Sequence, residues 1–243
     1  MSLDFNAASL NLPSQVRGKK AWLYPHPKRT NAAVRLWNEH RVEVVALQEL
    51  ATMSRTQIRA RRRWGLATTT NDVFPFRRVG NGVAWRKDQW RIIGRDTIHV
   101  LTPTHPRRGI RFPVVTLQNI DEPTVRLVVI GVHIPTATAM GDALRKRRDS
   151  PEVVAARTKI NGQVLNVAES YVARGLPVLV AGDFNDGHAR RLYASWTVGA
   201  QHQVDHVFGK GLRFGTSEDV DTGRISDHPA MPTVAVQLTI PRN

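Results

Sequence analysis

Pro177-Val178-Leu179-Val180-Ala181-Gly182-Asp183-Phe184-Asn185-Asp186 runs from an unbroken apolar segment straight into two carboxylates and an amide. A short run rich in Val and Leu, opened by proline and closed by glycine, reads as a strand buried on both faces. Alternation along extended backbone sends Asp183 and Asn185 to one side and turns Phe184 into the core. A carboxylate and an amide facing one cleft can orient a water and donate to an oxyanion. The competing reading is an Asx turn that closes the strand. The specificity of the four-residue pattern Gly-Asp-Phe-Asn favours a functional site.

The same logic extends outward along the chain. Segments 3–10, 42–48, 82–86, 91–100, 111–118, 125–133, 203–208 and 233–240 also read as strands, with 177–182 at the centre of the argument. Helical periodicity is clearest over 30–41, with Thr30 as N-cap, and over 151–174. There Ser150 caps and Pro151 fits the first turn. Val153, Val154, Ile160, Val164, Leu165 and Ala168 form its apolar stripe, and Gly175 ends it. Many strands with few helices predict an α/β fold with two sheets packed face to face and helices outside. Periodicity alone leaves a doubly wound sheet open. No repeat, low-complexity tract or linker divides residues 1–243, so a single domain is expected.

Three further polar clusters close predicted strands, as active-site residues on a rigid scaffold commonly do. Leu47-Gln48-Glu49 offers a carboxylate suited to a hard divalent cation; a solvated acid capping the next helix is the plainer reading. Gly131-Val132-His133-Ile134-Pro135 places a histidine where it could donate to a phosphate oxygen, or simply pack. Ile225-Ser226-Asp227-His228-Pro229 sets a carboxylate beside a base that titrates near neutrality, or forms a turn.

In this order, Gln-Glu, His-x-Pro, Gly-Asp-Phe-Asn and Ser-Asp-His resemble the endonuclease/exonuclease/phosphatase superfamily, over about residues 5 to 238. Deoxyribonuclease I-like enzymes, sphingomyelinases and inositol polyphosphate phosphatases belong to it. The resemblance implies a four-layered α/β sandwich, two mixed β-sheets packed face to face. It implies Mg²⁺ or Mn²⁺ held by Glu49 and Asp227, with Asn11 completing the shell. It implies that His228 polarises the attacking water while Asp205, in Gln203-Val204-Asp205-His206, fixes its tautomer. His206 is then structural. Asp183 lies by the nucleophile or leaving group, and Asn185, His133 and Arg111 stabilise the transition state. Asn11, Asn81 and Arg111 contact phosphate, with Arg107 and Arg108 as rivals for the last role.

The formal net charge is +15, with 35 Lys/Arg against 20 Asp/Glu. Such an excess gathers polyanions. Arg59-Ala60-Arg61-Arg62-Arg63-Trp64 and Arg145-Lys146-Arg147-Arg148 lie close in sequence to Glu49 and His133. They would grip phosphates, with Trp64 stacking on a base. The expected activity is therefore metal-dependent hydrolysis of phosphodiesters, most simply by a DNA endonuclease, with DNA favoured over RNA. A phosphatase or phosphodiesterase on a nucleotide, small molecule or lipid is the alternative, and an inactive nucleic-acid-binding module the third reading. The absence of cysteine excludes disulfides and thiolate metal sites. With no signal-like segment and no apolar run of membrane-spanning length, a cytoplasmic monomer without membrane contact is expected.

Overall fold

A computed structural model describes residues 2–12, 26–70, 80–102, 105–134, 150–186, 189–202, 204–220 and 233–241. The strands are β1 Ser2–Asn11, β2 Val42–Leu50, β3 Trp64–Thr70, β4 Gly80–Arg86, β5 Trp90–Thr102, β6 His105–Asn119, β7 Arg126–His133, β8 Val178–Asp183, β9 Thr197–His202, β10 Asp205–Lys210, β11 Arg213–Val220 and β12 Thr233–Pro241. The helices are α1 His26–Glu39, α2 Thr52–Arg59, α3 Pro151–Val172 and α4 Ala189–Leu192. The strands form two six-stranded sheets, β11-β12-β1-β2-β4-β3 and β5-β6-β7-β8-β10-β9. β1 runs parallel to β2 and β7 parallel to β8, while the remaining pairs are antiparallel, so both sheets are mixed.

Three apolar clusters follow from alternation along these strands. Val44, Ala46, Val83, Val115, Val129, Leu179, Ala181 and Val207 meet between the sheets. Their chain neighbours Val45, Leu47 and Ala84 face α1, and Val128, Ile130, Val178 and Val180 face α3 and α4. Strands buried on both faces carry no polar alternation, which is why β2, β7 and β8 read as continuous apolar runs. The result is the four-layered α/β sandwich.

Several local expectations need correction. Thr30 is not an N-cap: α1 starts at His26, and Thr30 is buried, with its Oγ1 3.1 Å from Ser54 Oγ. On α3, the Ser150 side chain does cap Val153 N–H. Val154 leaves the predicted stripe and is exposed. Trp64 cannot stack on a base, because it is buried against Trp37 with ring centroids 5.0 Å apart. α2, α4, β3, β9 and β11 were not expected. Among the described residues, no helix is long and apolar enough to cross a membrane.

Candidate active site

The inner faces of the two sheets change character at one end. Positions that hold Val, Leu and Ala through the core become Ser9 and Asn11 on β1, Gln48 on β2, Thr69 on β3 and Asn81 on β4. On the facing sheet they become Arg111, His133, Asp183 and Asp205 on β6, β7, β8 and β10. Register aligns them: Asn11 pairs with Gln48, His133 with Asp183, and Asp183 with Asp205. The site is thus the polar end of the inter-sheet core.

Close backbone approach brings the sheet ends together. At Gly182, φ is +149° and a Cβ would stand 1.9 Å from the Val132 carbonyl oxygen and 3.0 Å from Gln48 Nε2. Only glycine fits there, and it lets β8 lie against β7 directly beneath Asp183. At Gly131, a Cβ would meet the Gly82 carbonyl oxygen of the opposite sheet at 2.9 Å. Across the same gap, Asn81 Nδ2 and Thr69 Oγ1 donate to the Arg111 carbonyl at 3.0 and 2.7 Å.

Asp183 is almost fully buried. Its Oδ1 accepts from Asn185 N–H at 2.8 Å, and its Oδ2 lies 3.8 Å from His133 Nε2. The first contact is an Asx turn, so the turn and the cluster of polar groups coexist. Asn185 takes the left-handed conformation, φ 46°, which asparagine tolerates better than most residues. Its Nδ2 donates to the Ile134 carbonyl at 2.8 Å, tying the β8 exit to the β7 exit. Burial and then the neighbouring Asp183 charge push the Asp205 carboxyl up to about 8. Two buried carboxyls side by side disfavour ionisation of both together.

Glu49 departs from alternation. Its φ is 54°, and the β2–β4 register shifts between Leu47 and Leu50. A bulge of this kind re-aims a side chain and recurs beside active sites. Asn11 is 6% exposed, yet neither its Oδ1 nor its Nδ2 has a hydrogen-bond partner among the described residues; the same holds for Gln48 Nε2 and Asn81 Oδ1. Buried polar atoms are ordinarily satisfied, so these mark where a ligand would complete the structure. The Asn11 amide oxygen and the half-buried Glu49 carboxylate suit a hard divalent cation. Among the described residues no group of three acidic, His or Cys side chains could hold a metal by itself. Asp227 and His228, the expected metal ligand and base, lie outside the described residues.

The sequence profile of the Endonuclease/Exonuclease/phosphatase family matches residues 4–228. The chain belongs to this family. Its members are phosphoester hydrolases and typically use divalent metal ions. No curated protein matches the sequence significantly. Solved structures share the fold at low identity. An endonuclease/exonuclease/phosphatase from Bacteroides vulgatus superposes with a TM-score of 0.73 at 12% identity, covering 98% of each chain. A mannosyl-6-phosphatase from Bacteroides thetaiotaomicron gives 0.69 at 14% identity, covering 96% of this chain and 99% of the other. The catalytic domain of human Nocturnin with a bound sulfate anion gives 0.66 at 11%, covering 97% and 93%.

The site residues expected from the resemblance are placed as follows. Asn11, Glu49, Asn81, Arg111, His133, Asp183, Asn185 and Asp205 come to one end of the sandwich. His206 is buried on the opposite face of β10, its Nε2 3.1 Å from the Asp186 carbonyl oxygen and its ring against Phe184 and Phe208. Ser9, Gln48 and Thr69 were missed; simple alternation from Asn11 and Ala46 would have found the first two. Arg59 reaches the site end of β3, donating to Thr68 Oγ1 at 3.2 Å, but the rest of the arginine run does not flank the site. Trp64 begins β3 opposite Arg86, and Thr70 ends it opposite Gly80. Arg61 to Arg63 therefore lie about 20 Å from the site end, at roughly 3.3 Å per residue. The basic cluster 145–148 lies outside the described residues.

Proposed function

We propose that this chain is a divalent-metal-dependent phosphodiesterase that cleaves nucleic acid, DNA in preference to RNA. The observation that carries the reading is the inner-face row of His133, Asp183 and Asp205 opposite Asn11, whose amide has no partner among the described residues. It combines a buried carboxyl pair with donors suited to an anion. Hydrolysis of a phosphodiester asks for both, since the attacking water must be oriented while charge develops on phosphoryl oxygens. The chain's excess of positive charge supports a polyanionic substrate, and the sulfate of the Nocturnin structure is a tetrahedral anion of the same kind.

Glu49 and Asn11 would hold the cation together with Asp227. When bound, it neutralises charge on the phosphate oxygens and eases departure of the leaving oxygen. His228 would polarise the attacking water, with Asp205 the group to orient its imidazole. Asp183, fixed by the Asn185 N–H, aligns the water or the leaving group. His133 and Arg111 donate to phosphate oxygens as the charge develops.

A phosphatase acting on a small phosphoester is the second reading. The remote position of Arg61 to Arg63 favours it, as does the sugar-phosphate specificity named for the Bacteroides thetaiotaomicron enzyme. Fields from exposed charges fade over about 8–10 Å at ordinary salt, so those arginines add little at the site.

The test is cleavage of supercoiled plasmid, single-stranded DNA and RNA with Mg²⁺, Mn²⁺ or EDTA, beside the Glu49→Ala and Asp183→Asn variants. Metal-dependent cleavage that drops at least about a thousandfold in each variant, with the fold intact by circular dichroism, is expected. Hydrolysis of small phosphoesters without any polymer cleavage would replace the nuclease by a phosphatase.

A further inference from the structure

The inner-face row does not stop at Arg111. β5 and β6 pair with His99 opposite Arg111, and both residues are exposed. Inner-face placement follows from their neighbours: Ile98, Val100, Ile110 and Phe112 face α3 in the outer cluster, so the alternate positions face inward. β6 pairs with β7 from Val114↔Ile130 onward. That register, carried to the strand ends, sets Arg111 level with His133, and the contact of a Gly131 Cβ with Pro113 Cγ at 3.5 Å agrees. One line across the sheet therefore reads His99, Arg111, His133, Asp183, Asp205.

Two features show that His99 and Arg111 sit on a prepared support. A Cβ at Gly109 would stand 2.3 Å from His99 Nε2, so the imidazole lies over the bare glycine backbone. The Arg111 backbone is clamped by the two donors from Thr69 and Asn81 in the opposite sheet.

We propose that His99, beside the Arg111 that contacts the scissile phosphate, forms an anion subsite for the phosphate next to it. The inference rests on the phosphoester reading of the site and deepens it, assigning the enzyme a substrate with at least two phosphates. His99 stands about 10 Å from His133, two strand spacings along the sheet, within reach of the flanking phosphate of a bound strand. It contacts substrate away from the reacting atoms and acts on affinity.

The test compares wild type, His99→Ala and His99→Arg on an oligonucleotide and on bis(p-nitrophenyl) phosphate, which carries one phosphate. His99→Ala should raise KM for the oligonucleotide about tenfold, leave kcat within about twofold, and leave bis(p-nitrophenyl) phosphate unaffected; His99→Arg should restore KM. Equal effects on the two substrates, or none, would overturn the subsite. If wild type cleaves no polynucleotide, the nuclease reading fails and the subsite is read by inhibition of bis(p-nitrophenyl) phosphate hydrolysis. There, His99→Ala should weaken pyrophosphate inhibition about tenfold and leave orthophosphate inhibition unchanged. Parallel changes for the two inhibitors would reject the subsite on its own terms.

Discussion

At one end of the sandwich Glu43, on β2, accepts from Trp90 Nε1 at 2.8 Å, Asn6 Nδ2 donates to the His40 carbonyl at 3.1 Å, and Arg86 forms a two-pronged pair with Asp88 at 2.8 and 2.6 Å. At the other end of the same strands Asn11, Gln48 and Asn81 bury amide atoms that have no partner among the described residues. There too, Glu49 and Asn185 hold left-handed backbone, and Asp205 is buried against Asp183. The first end pairs these groups, although Trp37 Nε1 and Trp64 Nε1 lack partners among the described residues and Arg41 is left-handed there too. The second keeps hydrogen-bond demands unmet among the described residues, together with left-handed backbone at two positions, and such strain is stabilised by the rest of the fold. The candidate site sits where local stability has been given up.

The sharpest way to break this comparison is Trp90→Ala. Trp90 is fully buried, packs edge-on against Phe5 at 5.3 Å, and satisfies Glu43. Its removal should cost about 4 kcal/mol and lower Tm by about 10 °C, while activity per folded molecule stays near wild type. A loss of activity in protein still folded by circular dichroism would mean that the far end also shapes the site.

Asp205→Asn probes the site end. Asp205 normally loses its proton near 3.8 and in the fold keeps it to about 8. Between those values the folded state binds more protons than the unfolded one, so stability is full below about pH 4 and falls as pH rises through about 8. In EDTA the wild-type Tm should therefore decline from about pH 5 to about pH 8. The asparagine variant should flatten the decline, gaining about 2 kcal/mol at the upper limit after allowance for solvent relaxation. A flat wild-type curve would remove the electrostatic strain from the comparison.

The smallest effect belongs to Arg86→Ala. The pair holds the Asp88 carboxyl below its ordinary range through the Arg86 hydrogen bonds, but Asp88 is 43% exposed. Chemical denaturation should register no more than about 0.5 kcal/mol. A larger loss would mark the far end as held by charge and not by packing.

Sequence legibility follows the same physics. β2, β7 and β8 were plain because burial on both faces demands apolar side chains throughout. β3, β9 and β11 escaped because they are sheet edges, and stretches such as Trp64–Thr70 and Arg213–Val220 carry few large apolar residues. α2 escaped because only Ser54, Arg55 and Ile58 are buried on it. The strand-end residues of the site were visible through motif and alternation. Glu49 was visible by type, whereas its left-handed bulge was not, since nothing in Leu47-Gln48-Glu49 announces it. Arg61 to Arg63 misled because α2 carries the chain back along the sandwich before β3 begins; nearness in sequence to Glu49 became distance in space.

β1 lies between β2 and β12, and Thr239 reaches Asp4 with a 2.7 Å hydrogen bond although the two are 235 residues apart. During synthesis at about 5–20 residues per second, the β1 edge that β12 will cover waits unpaired for roughly 10–50 s. Open edges invite pairing with other chains. The strand that carries Asn11 is therefore the one whose sheet is completed last, and the newborn chain is most exposed to aggregation where its chemistry will later reside.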